Sequence, residues 1–518
     1  MFTFIDLFAG IGGFRQALDS LGGKCVGFSE IAPDAIKTYC KNYNEPESLN
    51  FGDITALNTL PTHDFMTAGV PCQSWSIAGK NLGFDDDRGQ LWNDTLFLLN
   101  KSRPKAFIFE NVKGLADPRN AEALSYIMRR IREAGYFVHK FVINSYDYGV
   151  AQNRVRIYLI GFREKKFYDN FNLPATQTGK IRLRDVIDGC GICHPQAKKA
   201  KSNGWSLSRN ENGFNDYFLF NDLRNGHSTI HSWDISPTTE RQKHLCMVIL
   251  SNRRKKIYGP LDGNPLSLSQ LKELDPGITQ QDIDSLIEMG ILKRIEYRHR
   301  IRQNAGDLTE DQETVLSLRS SDGTLNIDEV KVNRQLKLKK IVLSDILEEL
   351  KEAGVLECVE IRYDFKNTKI STGLNGINRI FLPSSDIFPT LVASDSNDFV
   401  TTIEIEASSA EDFKTKFLEK IYFPGEYRKI TKEEACKIQG FPSDFDLPES
   451  RARWMKLIGN SVSVPVIRAL ASAVIQTGVF NDEKETEKSV TSCALHNSAR
   501  RHMNIGQLSL FEFDNHTP

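Results

Sequence analysis

The sequence predicts an α/β fold with a doubly wound, mainly parallel sheet, and three observations predict it. Short apolar runs alternate with amphipathic stretches from residue 1 to about 164, the pattern of β-α-β units. A glycine turn, Gly10-Ile11-Gly12-Gly13, follows the first apolar run. Later runs in the same region end on residues that carry chemistry, as strands do at the carboxyl edge of such a sheet.

In order, Phe4 to Phe8 reads as the first strand and Phe14 to Leu21 as a helix stopped by Gly22-Gly23. Lys24 to Phe28 reads as a second strand, and Pro33 to Tyr43 as a second helix. Further strands follow at Phe65 to Ala68, Ala106 to Phe109 and Ile157 to Gly161. Residues 165 to about 427 are more polar and basic, with irregular strand signals. Within them Gln281 to Glu288 and Leu343 to Glu352 read as helices, each followed by a glycine and an apolar strand. That echo fits a winged-helix-like unit at about 240–365. Helical periodicity returns at Thr431 to Ile438 and Ser463 to Ile475, and from Asn481 the chain is polar and expected to be disordered.

At 518 residues, size alone suggests about three domains, fewer if one is interrupted. With 40% apolar and 26% charged residues, the composition is that of a soluble globular protein, and no apolar run approaches the ~20 residues that cross a bilayer. The start, Met1-Phe2-Thr3-Phe4-Ile5-Asp6, has no basic leader, and nine scattered cysteines suit a reducing compartment, so a cytoplasmic protein is expected. The net charge of -1 excludes a surface that is basic everywhere. Three basic clusters, at 253–256, 298–302 and 337–340, nonetheless fall in one stretch, which suits a polyanion partner as well as plain solvated faces.

The glycine turn after the first strand lets a ligand approach the backbone where a helix presents free N–H groups. Glu30, past the second strand, is placed for ribose hydroxyls, and Asp53 for an adenine amino group. An adenosyl cofactor follows from the three together, with no choice between phosphate and sulfonium. Phe65 to Ala68 leads into Gly69-Val70-Pro71-Cys72-Gln73, a thiol in a turn where a strand would present a nucleophile. A small buried cysteine is the ordinary alternative. Glu110-Asn111-Val112 and Gln152-Asn153-Arg154-Val155-Arg156 add an acid and two cations.

These elements, with Phe4-Ile5-Asp6-Leu7-Phe8-Ala9-Gly10-Ile11-Gly12-Gly13, Gln439-Gly440-Phe441-Pro442 and Gly459-Asn460-Ser461-Val462, resemble in order the motifs of DNA (cytosine-5) methyltransferases of the bacterial restriction-modification type. The resemblance covers 1–164 and roughly 428–478. It implies a Rossmann-like catalytic domain that binds S-adenosylmethionine, discontinuous over 1–164 and 428–480, and a separate, long target-recognition domain at 165–427 that faces it across a DNA-sized cleft. The tail would be 481–518. It further implies that Cys72 adds to carbon 6 of a flipped-out cytosine, making carbon 5 able to accept a methyl group. Glu110 would hold the ring and supply a proton, and Arg154 and Arg156 would hold the base carbonyl and orient the acid. An ion pair of Glu110 with Arg154 is expected on either reading. The base that removes the carbon 5 proton is not identified.

By the same resemblance the cofactor would be held by Phe8, Gly10, Gly12, Glu30, Ile31, Asp53, Ile54, Asn460 and Val462. Residues 73–90 would close over the duplex, with Gln73 and Ser76 at the emptied helix and Lys80 and Arg88 on phosphates. Thr390-Leu391, with Asn397 and Val400, resembles the element of recognition domains that reaches the bases. A related branch methylates transfer RNA, and a catalytically inactive DNA-binding relative is the other alternative. The long basic recognition region favours duplex DNA, and the intact catalytic set favours an enzyme, expected as a monomer. Cys190-Gly191-Ile192-Cys193-His194 matches haem attachment, but that chemistry takes place outside the cytoplasm, and no second pair completes a zinc site, so free thiols and no metal are expected. Gln507-Leu508-Ser509-Leu510-Phe511 resembles the peptide that docks on the bacterial sliding clamp, through Gln507, Leu508, Leu510 and Phe511.

Overall fold

A computed structural model describes residues 1–71, 87–177, 181–189, 232–261, 263–302, 308–332, 342–366, 379–383, 387–396 and 398–481. Met1–Val479 form one unit, and of the second, Phe480–Pro518, only residues 480 and 481 are described.

The first strands are β1 (Phe2–Leu7), β2 (Gly23–Ser29), β3 (Phe65–Gly69) and β4 (Ala106–Val112). β5 (Phe137–Asn144), the short β6 (Gln152–Asn153) and β7 (Val155–Phe162) follow. Six of these seven build one sheet in the order β2-β1-β3-β4-β7-β5. β1 to β4 are parallel, and β1, β3 and β4 are buried along nearly their whole length, as strands covered on both faces must be.

The covering helices include α1 (Gly13–Asp19), α2 (Pro33–Tyr43), α3 (Asp87–Ser102) and α4 (Ala121–Glu133). α4 buries Leu124, Ile127 and Ile131, and α3 buries Trp92, Leu96 and Leu99, each at the three- and four-residue spacing of one helix face. Both stripes pack on Phe107 and Phe109, whose rings stack 4.3 Å apart. Burying an aromatic side chain of that size contributes roughly 1.5–3 kcal/mol.

The sheet is mixed rather than mainly parallel in its second half. β7 runs antiparallel to both β4 and β5. β5 and β7 are separated only by residues 145–154, too few for the crossover that a parallel pair requires, so the chain turns back on itself.

The region after 165 holds a second, three-stranded sheet: β8 (Leu292–Ile301), β9 (Thr324–Asn326) and β10 (Leu356–Phe365), in the order β10-β8-β9. Helix α5 (Gln280–Glu288) leads through Gly290 into β8, and α6 (Leu343–Glu352) leads through Gly354 into β10. Both glycines sit at φ +71°, and the two long strands pair antiparallel. The echo in the sequence is therefore two copies of helix, left-handed glycine and strand, joined through their antiparallel strands.

The last helices are α7 (Lys432–Gln439), α8 (Arg451–Asn460) and α9 (Val464–Gln476). The stretch Arg451–Gln476 is long and apolar enough by composition to cross a bilayer, which amends the expectation from sequence. It is broken at 461–463 into α8 and α9, and 67% of its most apolar part is buried in the protein.

Candidate active site

The carboxyl edge of the central strands gathers the sequence motifs. β3 ends at Gly69, which is paired in register with Glu110 of β4. The turn through Val70 and Pro71 toward Cys72 therefore leaves the sheet beside the Glu110 carboxylate. Cys72 itself lies outside the described residues, as do Gln73, Ser76 and Lys80; Arg88 is in α3, with its side chain outside them.

Glu110 is buried, and the Arg156 Nε lies 3.1 Å from one of its carboxylate oxygens. In the antiparallel pairing, Tyr158 is opposite Glu110 and Arg156 is opposite Val112, so the ion pair is a diagonal contact on one face of the sheet. The side chains of Glu110 and Arg156 are 10% and 15% exposed, which limits screening by water.

Arg154 is used otherwise than expected. Its guanidinium donates to the backbone carbonyls of Leu391, Gly459 and Ser461, and the cation paired with Glu110 is Arg156. Asn111, to which the sequence reading gave no task, is 2% exposed and donates from Nδ2 to the Val70 carbonyl at 3.1 Å. It ties the end of β4 to the turn that leads to Cys72.

At the other side of the edge lies the glycine turn. Phe8, Gly10 and Gly12 all take positive φ, at 54°, 57° and 86°. A Cβ on Gly12 would overlap the Tyr43 ring, whose hydroxyl donates to the Gly12 carbonyl, so the turn needs glycine there. Glu30 accepts from the Gly10 N–H at 2.8 Å with one oxygen and from Ile31 and Ala32 with the other. Ile31 is 68% exposed, an uncovered apolar surface next to that carboxylate. Asp53 is exposed and accepts from the Thr55 N–H; Ile54 is buried in the core.

The loop after α8 closes on the turn. A Cβ at Gly13 would overlap Ser461 Oγ and a Val462 methyl, so the two segments are in direct contact. Asn460, exposed, is the last residue of α8.

The residues fit an adenosyl group. Space is open beside the Cα of Gly10, a carboxylate for hydroxyls and an exposed apolar side chain are adjacent, and a second carboxylate stands at Asp53.

Beneath the edge, Asp6 is fully buried and accepts from Thr67 Oγ1 at 3.1 Å. Burial pushes its carboxyl from 3.8 up to about 8, against the lowering effects of Thr67 and Arg15.

Thr390 and Leu391 follow a short strand that packs on β6. β12 (Phe388–Pro389), after the short β11 (Arg379–Phe381), pairs parallel with β6. The Thr390 hydroxyl donates to the Asn153 carbonyl, and Leu391 is 2% exposed with its N–H on Gln152. Val400 is buried in β13 (Asp398–Val400), and Asn397 lies outside the described residues.

The basic clusters are also partly spent. Arg253 is buried in a two-point bridge to Asp364, Arg298 pairs with Glu360 and Arg302 with Glu357. Residues 337–340, Cys190 to His194 and Gln507 to Phe511 lie outside the described residues. Among the described residues, one trio of metal-type donors comes together, Glu296, His299 and Cys358, and its carboxylate is engaged by the Lys351 ammonium at 2.7 Å.

Comparison with known proteins decides the family. The family model for C-5 cytosine-specific DNA methylases matches residues 2–476.

The chain belongs to the C-5 cytosine-specific DNA methylase family.

Among its relatives, the Type II methyltransferase M.HgiBI of Herpetosiphon aurantiacus is 38% identical over 493 residues, covering 93% of this chain and 98% of the relative. The Type II methylase M.HgiEI of the same organism is 37% identical over 498 residues, covering 93% and 98%. A solved methyltransferase of Entamoeba histolytica is 13% identical with a TM-score of 0.45, covering 92% of this chain and 98% of its own. As a methylase of this family, the chain uses S-adenosylmethionine as methyl donor.

Proposed function

We propose that this enzyme methylates carbon 5 of cytosine at one short sequence in duplex DNA, as the modification half of a restriction-modification pair. The observation that carries the reading is the register that sets Gly69 against Glu110, with Arg156 paired to that carboxylate.

S-adenosylmethionine, held by the glycine turn, Glu30, Ile31, Asp53 and the 460–462 loop, supplies a methyl group activated by sulfonium. The protein's own residues prepare the acceptor. The Cys72 thiolate forms a bond to carbon 6, and the ring electrons move to carbon 5 and the nitrogen side. Glu110 donates its proton to the ring nitrogen as that charge develops, and Arg156 fixes the orientation of the acid. Once carbon 5 carries the methyl group, its proton leaves to a base, the carbon 5–carbon 6 double bond reforms as the carbon–sulfur bond breaks, Cys72 leaves as the thiolate and the ring nitrogen returns its proton to Glu110. Arg154 contributes by holding the surrounding loops rather than the acid.

The proposed organisation is a catalytic domain of 1–164 and 428–480, with a target-recognition region of 165–427. Its support is the return of Ser461 and Val462 to Gly13, and the separate hydrophobic core around Trp233, Leu271, Leu286 and Phe365. The winged-helix-like unit at 240–365 would contact flanking DNA or a partner protein. The enzyme is proposed to act as a cytoplasmic monomer near the nucleoid. Its 507–511 peptide would bind the sliding clamp, a contact that Leu510→Ala with Phe511→Ala should abolish in a pull-down with purified clamp.

Bisulfite sequencing of DNA from a methylation-deficient bacterial host expressing the chain tests the function. Protection at one recurring sequence is expected, and Cys72→Ser should remove it while duplex binding remains. No protection, with the folded protein still binding S-adenosylmethionine, would overturn the DNA reading and turn attention to transfer RNA.

A further inference from the structure

Three buried polar side chains join four segments that are distant in sequence. Gln152, wholly buried, donates from Nε2 to the Ile438 carbonyl at 3.1 Å and to Gln439 Oε1 at 2.7 Å, and its Oε1 accepts from the Leu391 N–H at 3.2 Å. Gln439, also wholly buried, donates to the Ser461 carbonyl at 2.6 Å. Arg154 donates to the same carbonyl at 2.7 Å and to those of Gly459 and Leu391 at 3.2 and 3.3 Å.

One side of this cluster holds the loop that meets the cofactor turn, since Val462 touches Gly13. The other side holds residues 388–393 of the recognition region, where β12 pairs with β6. The two sides also touch directly. A Cβ on Gly459 would come within 2.5 Å of the Val392 carbonyl carbon and 2.8 Å of the Ala393 nitrogen, so only glycine admits that approach. Val392 is 39% exposed, so the segment reaches the surface immediately beyond its buried anchor.

Buried amides of this kind are costly unless every partner is present, so a displacement on one side of the cluster strands partners unless the other side follows. A ligand that fixes one side fixes the other, and by linkage the effect is reciprocal. We propose that Gln152 and Gln439 are positioning residues that couple the cofactor loop 459–462 to the recognition segment 388–393, so that cofactor and duplex each tighten the binding of the other. The inference rests on the reading above that places DNA against residues 165–427.

The test uses the full chain, S-adenosylhomocysteine as unreactive cofactor, and a duplex holding the sequence recovered by bisulfite mapping. Duplex affinity is measured with and without S-adenosylhomocysteine, and cofactor affinity by calorimetry. The wild type should bind the duplex at least about fivefold more tightly with cofactor, within the usual range for such coupling. Gln439→Met removes the donor to Ser461 while Arg154 keeps that carbonyl partnered. It should bind each ligand alone within about twofold of wild type and lose most of the coupling. A merely structural role would lower the melting temperature and both affinities and leave the ratio intact; that result, or an uncoupled wild type, overturns the proposal. Should Gln439→Met fail to fold, Gln439→Asn, whose shortened amide cannot reach Ser461, carries the same expectation. Failure to bind either ligand would instead count against the proposed function.

Discussion

Arg156 and Glu110 meet diagonally across two antiparallel strands, with Nε 3.1 Å from a carboxylate oxygen. The pairing restrains the acid in two ways. It holds one Glu110 carboxylate oxygen beside a planar guanidinium, and under the proposed function it would keep a cation within reach of the base carbonyl.

Glu110→Gln keeps the shape and removes the acid. Methyl incorporation into DNA should fall by about a hundred- to ten-thousandfold while duplex binding persists, the range for loss of a positioned acid. Arg156→Lys should give a smaller loss, because the ammonium keeps the charge and lacks only the planar fork. Wild-type rates in Glu110→Gln would exclude the acid role.

Asn111 is expected to matter through position. Asn111→Ala leaves the Val70 carbonyl without its donor, which costs about 1–3 kcal/mol. Activity should fall by more than the stability loss accounts for, because Val70 leads directly to Cys72. Parallel melting and turnover measurements separate the two effects, and an unchanged turnover with lowered melting would mark Asn111 as structural only.

Asp6 gives a dependence on pH with a defined sign. Its folded carboxyl, near 8, lies above the ordinary 3.8, so the native state keeps a proton that the unfolded chain releases. The stability from this group is full below pH 3.8 and is lost as pH rises toward 8. Asp6→Asn is neutral throughout and escapes the loss. The stability of Asp6→Asn relative to wild type should grow by up to about 1.4 kcal/mol per pH unit across that window in urea unfolding. Parallel curves for the two proteins would show that Asp6 is ionised in the fold.

Arg253 and Asp364 form a buried bridge with contacts of 3.0 and 2.9 Å. Asp364→Ala strands the guanidinium and should destabilise its surroundings by about 3–5 kcal/mol, whereas replacing both partners by apolar residues should cost much less. Equal losses in chemical unfolding of the single and double variants would show that packing, not charge, dominates.

Much of the central fold was legible because local signals decide it. α2 was read to the residue, since Pro33 opens the helix and Asn44, at φ 50°, closes it. The direction of β7 was not, because an apolar run carries no sign; the brevity of 145–154 carried that information. The two arginines looked equivalent two residues apart, as on one strand face. Arg154, however, falls in the gap between β6 and β7, where alternation lapses, and it turns toward the loops. The pairing of Gln152 with Gln439 spans 287 positions, and no local pattern links two glutamines so far apart.

Trp233 stacks on Phe365 with ring centroids 5.2 Å apart, and Leu266 bridges to Tyr363 beside them. The stretch that begins at Trp233 thus returns to its own starting point before the chain moves on. For the remainder of the polypeptide, the entropic cost of closing so long an excursion is met inside the excursion itself. A segment with joined ends can be shortened, lengthened or exchanged whole while its neighbours keep their places.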